Sequence, residues 1–181
     1  MSTVAVRPAR VSDADDIGMV HVASWHQRLA GVLPDEVLSS LSADDLAMTW
    51  ARRILNPPLA GQAVVVATQV QPDATEAIVG FAAFGPSQEP DALPGEYELV
   101  ALEVAPGHQR AGHGSRLMAA AIDLAREAGA TSACAWCPLE DSIRRGFLQS
   151  AGWEPDSARR DLATGPDTTV REVRLVVSLA A

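Results

Sequence analysis

The sequence predicts an α/β fold, α+β in its strand order: a single domain over residues 1–181 with a mixed sheet flanked by helices. Three observations carry this. Strand-like and helix-like periods alternate as β, helices, βββ, α, β, α, ββ. The composition, 48% hydrophobic and 20% charged over 181 residues, is that of a globular chain long enough to bury a core. No internal repeat, low-complexity tract or domain linker interrupts the order.

"TVAVRPA" alternates apolar and polar positions and is expected as the first strand. Ser12 or Asp13 then caps a helix through "DADDIGMVHVASWHQRLA", whose apolar face includes Ile17, Val20, Trp25 and Leu29. Pro34 opens a short helix, "DEVLSSL", and Ser42 caps "ADDLAMTWARRIL", which "NPP" stops. "AVVVATQV" and "AIVGFAAFG" read as a β-hairpin on their β-branched and aromatic content. The Pro- and Gly-rich "PSQEPDALPGE" is a loop, and "YELVALEVA" is the fourth strand. A helix over 114–128 follows, with Leu117, Met118, Ala121, Ile122, Leu124, Ala125 and Ala128 on one side, and stops at Gly129. "TSACAWC" is a fifth strand and "EDSIRRGFLQSA" a helix ended by Gly152. "TVREVRLVVSL" closes the sheet against a strand beginning at "WEPDS", across a loop containing "TGPD".

The net charge of −9 argues against broad nucleic-acid binding, which wants a basic footprint. No stretch approaches the roughly 18 apolar residues of a membrane span, and the N-terminus lacks a secretory layout, so a cytoplasmic protein without a membrane partner is expected. Cys134 and Cys137 spell C-x-x-C on a strand, where residues three apart lie about 10 Å from each other on opposite faces. A disulfide needs Cα atoms within about 7 Å, and no second pair completes a zinc site, so two buried thiols and no metal are expected. His21 and His26, five apart on a helix, share no metal-binding face. Trp25 and Trp50 read as core or pocket wall.

The residues that carry chemistry lie at "VAPGHQRAGHGSRLM". Gln109, Arg110, Ala111, Gly112, His113 and Gly114 spell Q-x-x-G-x-G between a strand end and a periodic helix. A helix start presents unpaired N–H groups and about half a positive charge to one spot. Glycines admit positive φ and let an anion approach the backbone, while Arg110, His113 and Arg116 add side-chain charge. Exposed charges beyond about 10 Å are screened, so a local anion seat survives a global negative charge. The pattern lacks the Lys of a Walker loop, and it lacks both the third glycine and the first-strand position of a dinucleotide fold.

"ELVALEVAPGHQRAGHGSRLMAAAIDLAREAGA" resembles the central motif of the GNAT superfamily of N-acetyltransferases: a strand ending L-x-V-x-P, then [QR]-x-x-G-x-[GA], then a long helix. The helices at 12–55, the hairpin at 62–85 and "FLQSAGWEP" also fall where that fold places its elements. The resemblance implies a mostly antiparallel sheet splayed between the fourth and fifth strands, and acetyl-CoA as cofactor. By that similarity Gln109, Arg110, Gly112, Gly114 and Ser115 take the pyrophosphate, with Ala111 and His113 in the same turn. The backbone of Leu102, Glu103 and Val104 would hold the pantetheine arm and the acetyl carbonyl. The implied activity is acetyl transfer to a primary amine of a small molecule or amino-acid derivative, by direct attack. The alternative is a catalytically degenerate acyl-CoA-binding regulator of the same fold; a homodimer is common for it.

A lysine-like amine is mostly protonated at neutral pH and needs a base. Glu98, where this superfamily often carries a Glu, is the candidate, acting through a water. Strand alternation sends Glu103 to the opposite face unless a bulge intervenes. Many members carry a Tyr as general acid, and an Asn seven residues before it, where this chain has Leu148 and Asp141. Tyr97 lies on the other strand face from Glu98, which leaves water, Ser150, Cys137 or nothing as the acid. Acceptor choice is expected from 24–60, the 86–96 loop and a 154–169 loop.

Overall fold

The computed structural model describes residues 4–165 and 167–180; Thr3 of the first predicted strand and Pro166 of "TGPD" lie outside the described residues. Five strands precede or flank the central helices: β1 (Val4–Pro8), β2 (Ala63–Val70), β3 (Glu76–Pro86), β4 (Glu96–Val104) and β5 (Ser132–Pro138). A terminal hairpin adds β6 (Glu154–Gly165) and β7 (Thr168–Ser178). The helices are α1 (Ala14–Arg28), α2 (Asp35–Ser39), α3 (Ala43–Leu55), α4 (His113–Glu127) and α5 (Ser142–Ser150). Among the described residues no helix is long and apolar enough to cross a membrane.

All seven strands form one sheet in the order β1-β2-β3-β4-β5-β7-β6, and only β4 and β5 run parallel. β2 and β3 are apolar on both faces because both faces are covered. On one side Val66, Phe81, Ala83 and Ala101 pack with Ile17, Val20 and Trp50 of α1 and α3. On the other, Val65, Val79, Ala82 and Phe84 pack with Leu117, Met118, Ala121 and Ala125 of α4, and Leu148 and Trp153 extend this core. Gly18 permits the crossing of α1 on α3, since a Cβ there would stand 2.4 Å from the Ala43 carbonyl oxygen.

Caps match the sequence in one case and differ in another. The Ser42 side chain accepts from the Asp45 N–H at the start of α3. Asp13 occupies the cap position of α1, but its carboxylate turns back to Arg10 N–H at 2.7 Å and pairs with Arg7 at 2.7 Å. The ion pair outcompetes the helix for the same oxygens. The strand expected to begin at "WEPDS" runs through residues 154–165, longer than a 154–169 loop would allow, and is irregular between Pro155 and Arg159.

Two departures from regular pairing position the site. Between β3 and β4 the register runs Ala83↔Ala101 then Phe84↔Leu99, so Val100 is an inserted residue. β4 pairs with β5 only over Glu96↔Ser132, Tyr97↔Ala133 and Glu98↔Cys134. Beyond that, β4 follows β3 to Val104↔Gly80 while β5 follows β7 to Pro138↔Glu172. A wedge-shaped gap opens between them.

Candidate active site

The turn after β4 gathers left-handed backbone and unpaired N–H groups at a helix start. Arg110 (φ 62°) and Gly112 (φ 82°) both adopt left-handed backbone, and Gly112 caps α4. Among the described residues, no backbone N–H from Gln109 to Ser115 has a hydrogen-bond acceptor; the first paired ones on either side are His108 and Arg116. Seven consecutive donors at a helix start concentrate positive potential on one spot. Gly114 has ordinary backbone, and a Cβ there would rest 3.5 Å from the Phe147 ring, so of these two glycines it is Gly112 that needs glycine's conformational freedom.

The side chains of the turn divide the work differently from the sequence expectation. His113 is buried, and burial, with the neighbouring His108 and Arg116, holds its imidazole below its ordinary range. It is therefore a neutral structural group and adds no charge. Arg116 donates to the Ala111 carbonyl at 3.1 Å and folds over the turn, while Arg110 and Ser115 are exposed. Gln109 donates to the Val104 carbonyl at 3.3 Å and to Gln27 of α1 at 2.9 Å, tying turn, strand and helix together.

The gap supplies a second set of peptide groups. Ala105 N–H bonds the Val79 carbonyl on β3. Strand alternation therefore points the peptide edges of Val104 and Leu102 away from β3, into the space that β5 has left. An extended ligand arm carrying amides can pair with those edges as a strand would.

Glu98 stands at the closed end of the gap, in the last β4–β5 pair. Tyr97 and Leu99 face the α4 core, so Glu98 faces the other way, beside Cys134 on β5. Burial pushes its carboxyl up; Arg160 opposes this, and Glu89, Glu172 and Glu96 add to it. The extra residue Val100 then reverses the alternation, and Glu103 comes to the same face as Glu98 instead of the opposite one. Glu103 is nonetheless occupied. It accepts from Ser24 Oγ at 2.6 Å, Trp25 Nε1 at 3.2 Å, Arg28 Nη2 at 2.8 Å and Arg144 Nη1 at 3.4 Å. Arg28 also pairs with Asp141, whose carboxylate caps α5 by accepting from Arg144 N–H. Removing one member of such a buried set leaves an uncompensated charge, at a cost of about 3–5 kcal/mol.

Other sequence candidates resolve plainly. Leu148 is fully buried, and Ser150 donates to the Phe147 carbonyl at 2.7 Å on an exposed turn. Cys134 and Cys137 are free and buried on opposite faces; burial pushes their thiols up to about 12 and about 11. Trp50 is core and donates to His21 Nδ1 at 3.1 Å, while Trp25 is half-buried. His26 is exposed.

The sequence reading does not single out a wall of side chains beside Glu98. Trp136 of β5 donates to Glu89 at 3.0 Å, and the Arg160 guanidinium lies 4.3 Å from its ring centroid. Arg160 joins Glu89 at 3.0 Å and Glu172 at 2.6 Å; Arg174 joins Asp91 at 2.7 Å and Asp156 at 2.7 Å. These contacts pin the 87–95 loop against β5, β7 and β6. The signal available is the alternation in "REVRLVV", which puts Glu172 and Arg174 on one face.

The sheet is thus splayed, with a carboxylate at the closed end of the gap and a turn of unpaired N–H groups beyond its open end. The model of the acetyltransferase (GNAT) family matches residues 42–153. The chain is 31% identical over 173 residues, 95% of itself and 91% of the relative, to the uncharacterized N-acetyltransferase YuaI of Bacillus subtilis (strain 168). The chain belongs to the GNAT acetyltransferase family. Among solved structures it resembles PaiA N-acetyltransferase from Thermoplasma acidophilum in complex with coenzyme A (TM-score 0.70, 16% identity, 95% and 98% of the two chains). It also resembles yncA from Salmonella typhimurium with its cofactor acetyl-CoA (TM-score 0.67, 21% identity, 97% and 94%). A third is ribosomal-protein-alanine N-acetyltransferase from Brucella melitensis (TM-score 0.71, 18% identity, 96% and 99%). At these identities the structural likenesses establish the fold.

Proposed function

We propose that residues 1–181 act as one domain that transfers the acetyl group of acetyl-CoA to a primary amine of a small molecule or amino-acid derivative. The observation that carries this is the run of unpaired N–H groups from Gln109 to Ser115, set beyond the open end of a gap edged by Leu102 and Val104. A pyrophosphate fits the first and an amide-bearing pantetheine arm the second. When bound, acetyl-CoA supplies an activated thioester.

The chain's own residues then do the following. Gln109, Arg110, Ala111, Gly112, His113, Gly114 and Ser115 hold the phosphates by their N–H groups. Leu102 and Val104 orient the arm, and the Val104 N–H donates to the carbonyl oxygen as negative charge grows there. Glu103 contributes by its peptide and by anchoring α1 and α5. Glu98 takes the ammonium proton of the acceptor, through a water, before direct attack; its raised affinity for protons suits that task. Trp136, Glu89 and Arg160 line the acceptor side.

Calorimetric titration with acetyl-CoA, against ATP and NAD as controls, tests the reading without a guess about the acceptor. Micromolar binding of acetyl-CoA alone, followed by thiol release over a panel of amines, is expected. Binding without thiol release from any amine would favour a non-catalytic acyl-CoA-binding role, to which the apolar Leu148 lends support. No binding would end both readings.

A further inference from the structure

We propose that Arg144 serves as the leaving-group residue, pairing with the departing thiolate as a cation in place of a proton donor. This rests on the acetyl-CoA reading above. A thiolate leaves faster where its developing charge is met by a proton or by a fixed cation.

The proton donors near the gap are spent or badly placed. Leu148 carries no proton to give and sits in the core. Ser150 is turned outward to the Phe147 carbonyl. Tyr97 faces the α4 side of the sheet. Cys137 directs its thiol at the Asp141 carbonyl, and at about 11 it holds its proton more tightly than an ordinary thiolate of pKa about 8.5 would.

Arg144 is placed otherwise. It lies three residues after Asp141 and four before Leu148, on the face of α5 that those two residues share. Its guanidinium reaches from the helix that follows β5 to Glu103 near the end of β4, and so bridges the gap. The contact to Glu103 is the longest of the four that carboxylate makes, which Ser24, Trp25 and Arg28 already serve at 2.6 to 3.2 Å. The Arg144 side chain is only 10% exposed, yet its buried Nε has no hydrogen-bond partner among the described residues. A buried cation with an unfilled donor is costly unless an anion completes it.

The balance is simple. The amine nitrogen forms the N–C bond as the C–S bond breaks, and the electron pair of that bond goes to sulfur. The first proton lost by the ammonium resides on Glu98, by way of the water, and the second, shed by the nitrogen as the amide forms, leaves through the same water to solvent. Arg144 meets the sulfur charge, and the thiolate takes a proton from solvent after release.

The test uses free CoA and desulfo-CoA on the whole protein. With wild type, the thiolate ultraviolet absorbance of bound CoA titrates about one pKa unit or more below that of free CoA. Arg144→Gln and Arg144→Met return it to the free value, while Arg144→Lys keeps most of the shift. Desulfo-CoA binds wild type and Arg144→Gln within about twofold, because phosphate and arm contacts are untouched, and kcat falls about 100-fold in Arg144→Gln with little change in amine KM. An unshifted thiol in wild type, or the same shift in all variants, overturns the role of Arg144 while leaving the CoA site standing. Failure of wild type to bind desulfo-CoA overturns the acetyl-CoA reading itself. Circular dichroism separates misfolded variants, and the wild-type titration alone decides the sign if Gln and Met both unfold.

Discussion

The two sides of the gap are made of different material. The β1–β4 half has β2 and β3 covered on both faces and edges the gap with peptide groups: those of Leu102 and Val104 and the N–H run from Gln109 to Ser115. The β5–β7–β6 half leaves most of β6 exposed and borders the gap with charges: Arg160 on Glu89 and Glu172, Arg174 on Asp91 and Asp156, around Trp136. Peptide groups recognise what is constant in a ligand, because every sequence supplies them. Side chains recognise what varies. Under the proposed function the cofactor falls to the first half and acceptor choice to the second, with Glu98 at the seam.

The comparison breaks most sharply at Gly112. A Gly112→Asp substitution adds a carboxylate at the anion seat and forces a side chain into left-handed backbone. Acetyl-CoA affinity is expected to fall by about 100-fold or more, against about tenfold for Gly112→Ala, which pays only the backbone cost of roughly 1–2 kcal/mol. Calorimetry of the two variants checks this, and equal affinity in Gly112→Asp would remove the seat.

At the seam, Glu98→Gln is expected to leave acetyl-CoA affinity unchanged and to lower kcat by about 10²–10⁴. The base acts only when ionised, and its proton affinity is raised, so wild-type kcat/KM falls on acidification from a pH above the ordinary carboxylate range. The variant loses that acid limb, and its deficit narrows as pH nears the amine pKa of about 10.4. A wild-type pH profile in Glu98→Gln would assign the proton to another group.

The smallest effect is expected on the acceptor side. Arg160→Met loosens Glu89 and Glu172 through half-exposed ion pairs worth about 1 kcal/mol or less each, so amine KM shifts about fivefold while acetyl-CoA affinity holds. Steady-state kinetics with both substrates varied would show it. A change in acetyl-CoA affinity instead would blur the division between the halves.

Legibility in the sequence follows the same divide. The Gly112 turn is readable because strand, glycine and helix start are contiguous, and the seat is made of local backbone. The Trp136 wall is not, since Arg174 and Asp91 lie 83 residues apart and Arg160 and Glu89 71 apart. His113 is the instructive intermediate. Its position in the motif is plain, but its burial, and hence its neutrality, depends on packing that no short window contains.

By itself the sequence determined the order of elements, the mixed sheet and the glycine turn at the start of α4, because these follow from periodicity and from a contiguous motif. Only the tertiary structure decided that Val100 bulges, which turns Glu103 onto the face of Glu98 and commits it to Ser24, Trp25, Arg28 and Arg144. One inserted residue reverses side-chain alternation, and which residue is inserted depends on how β4 meets β3 and not on β4 alone.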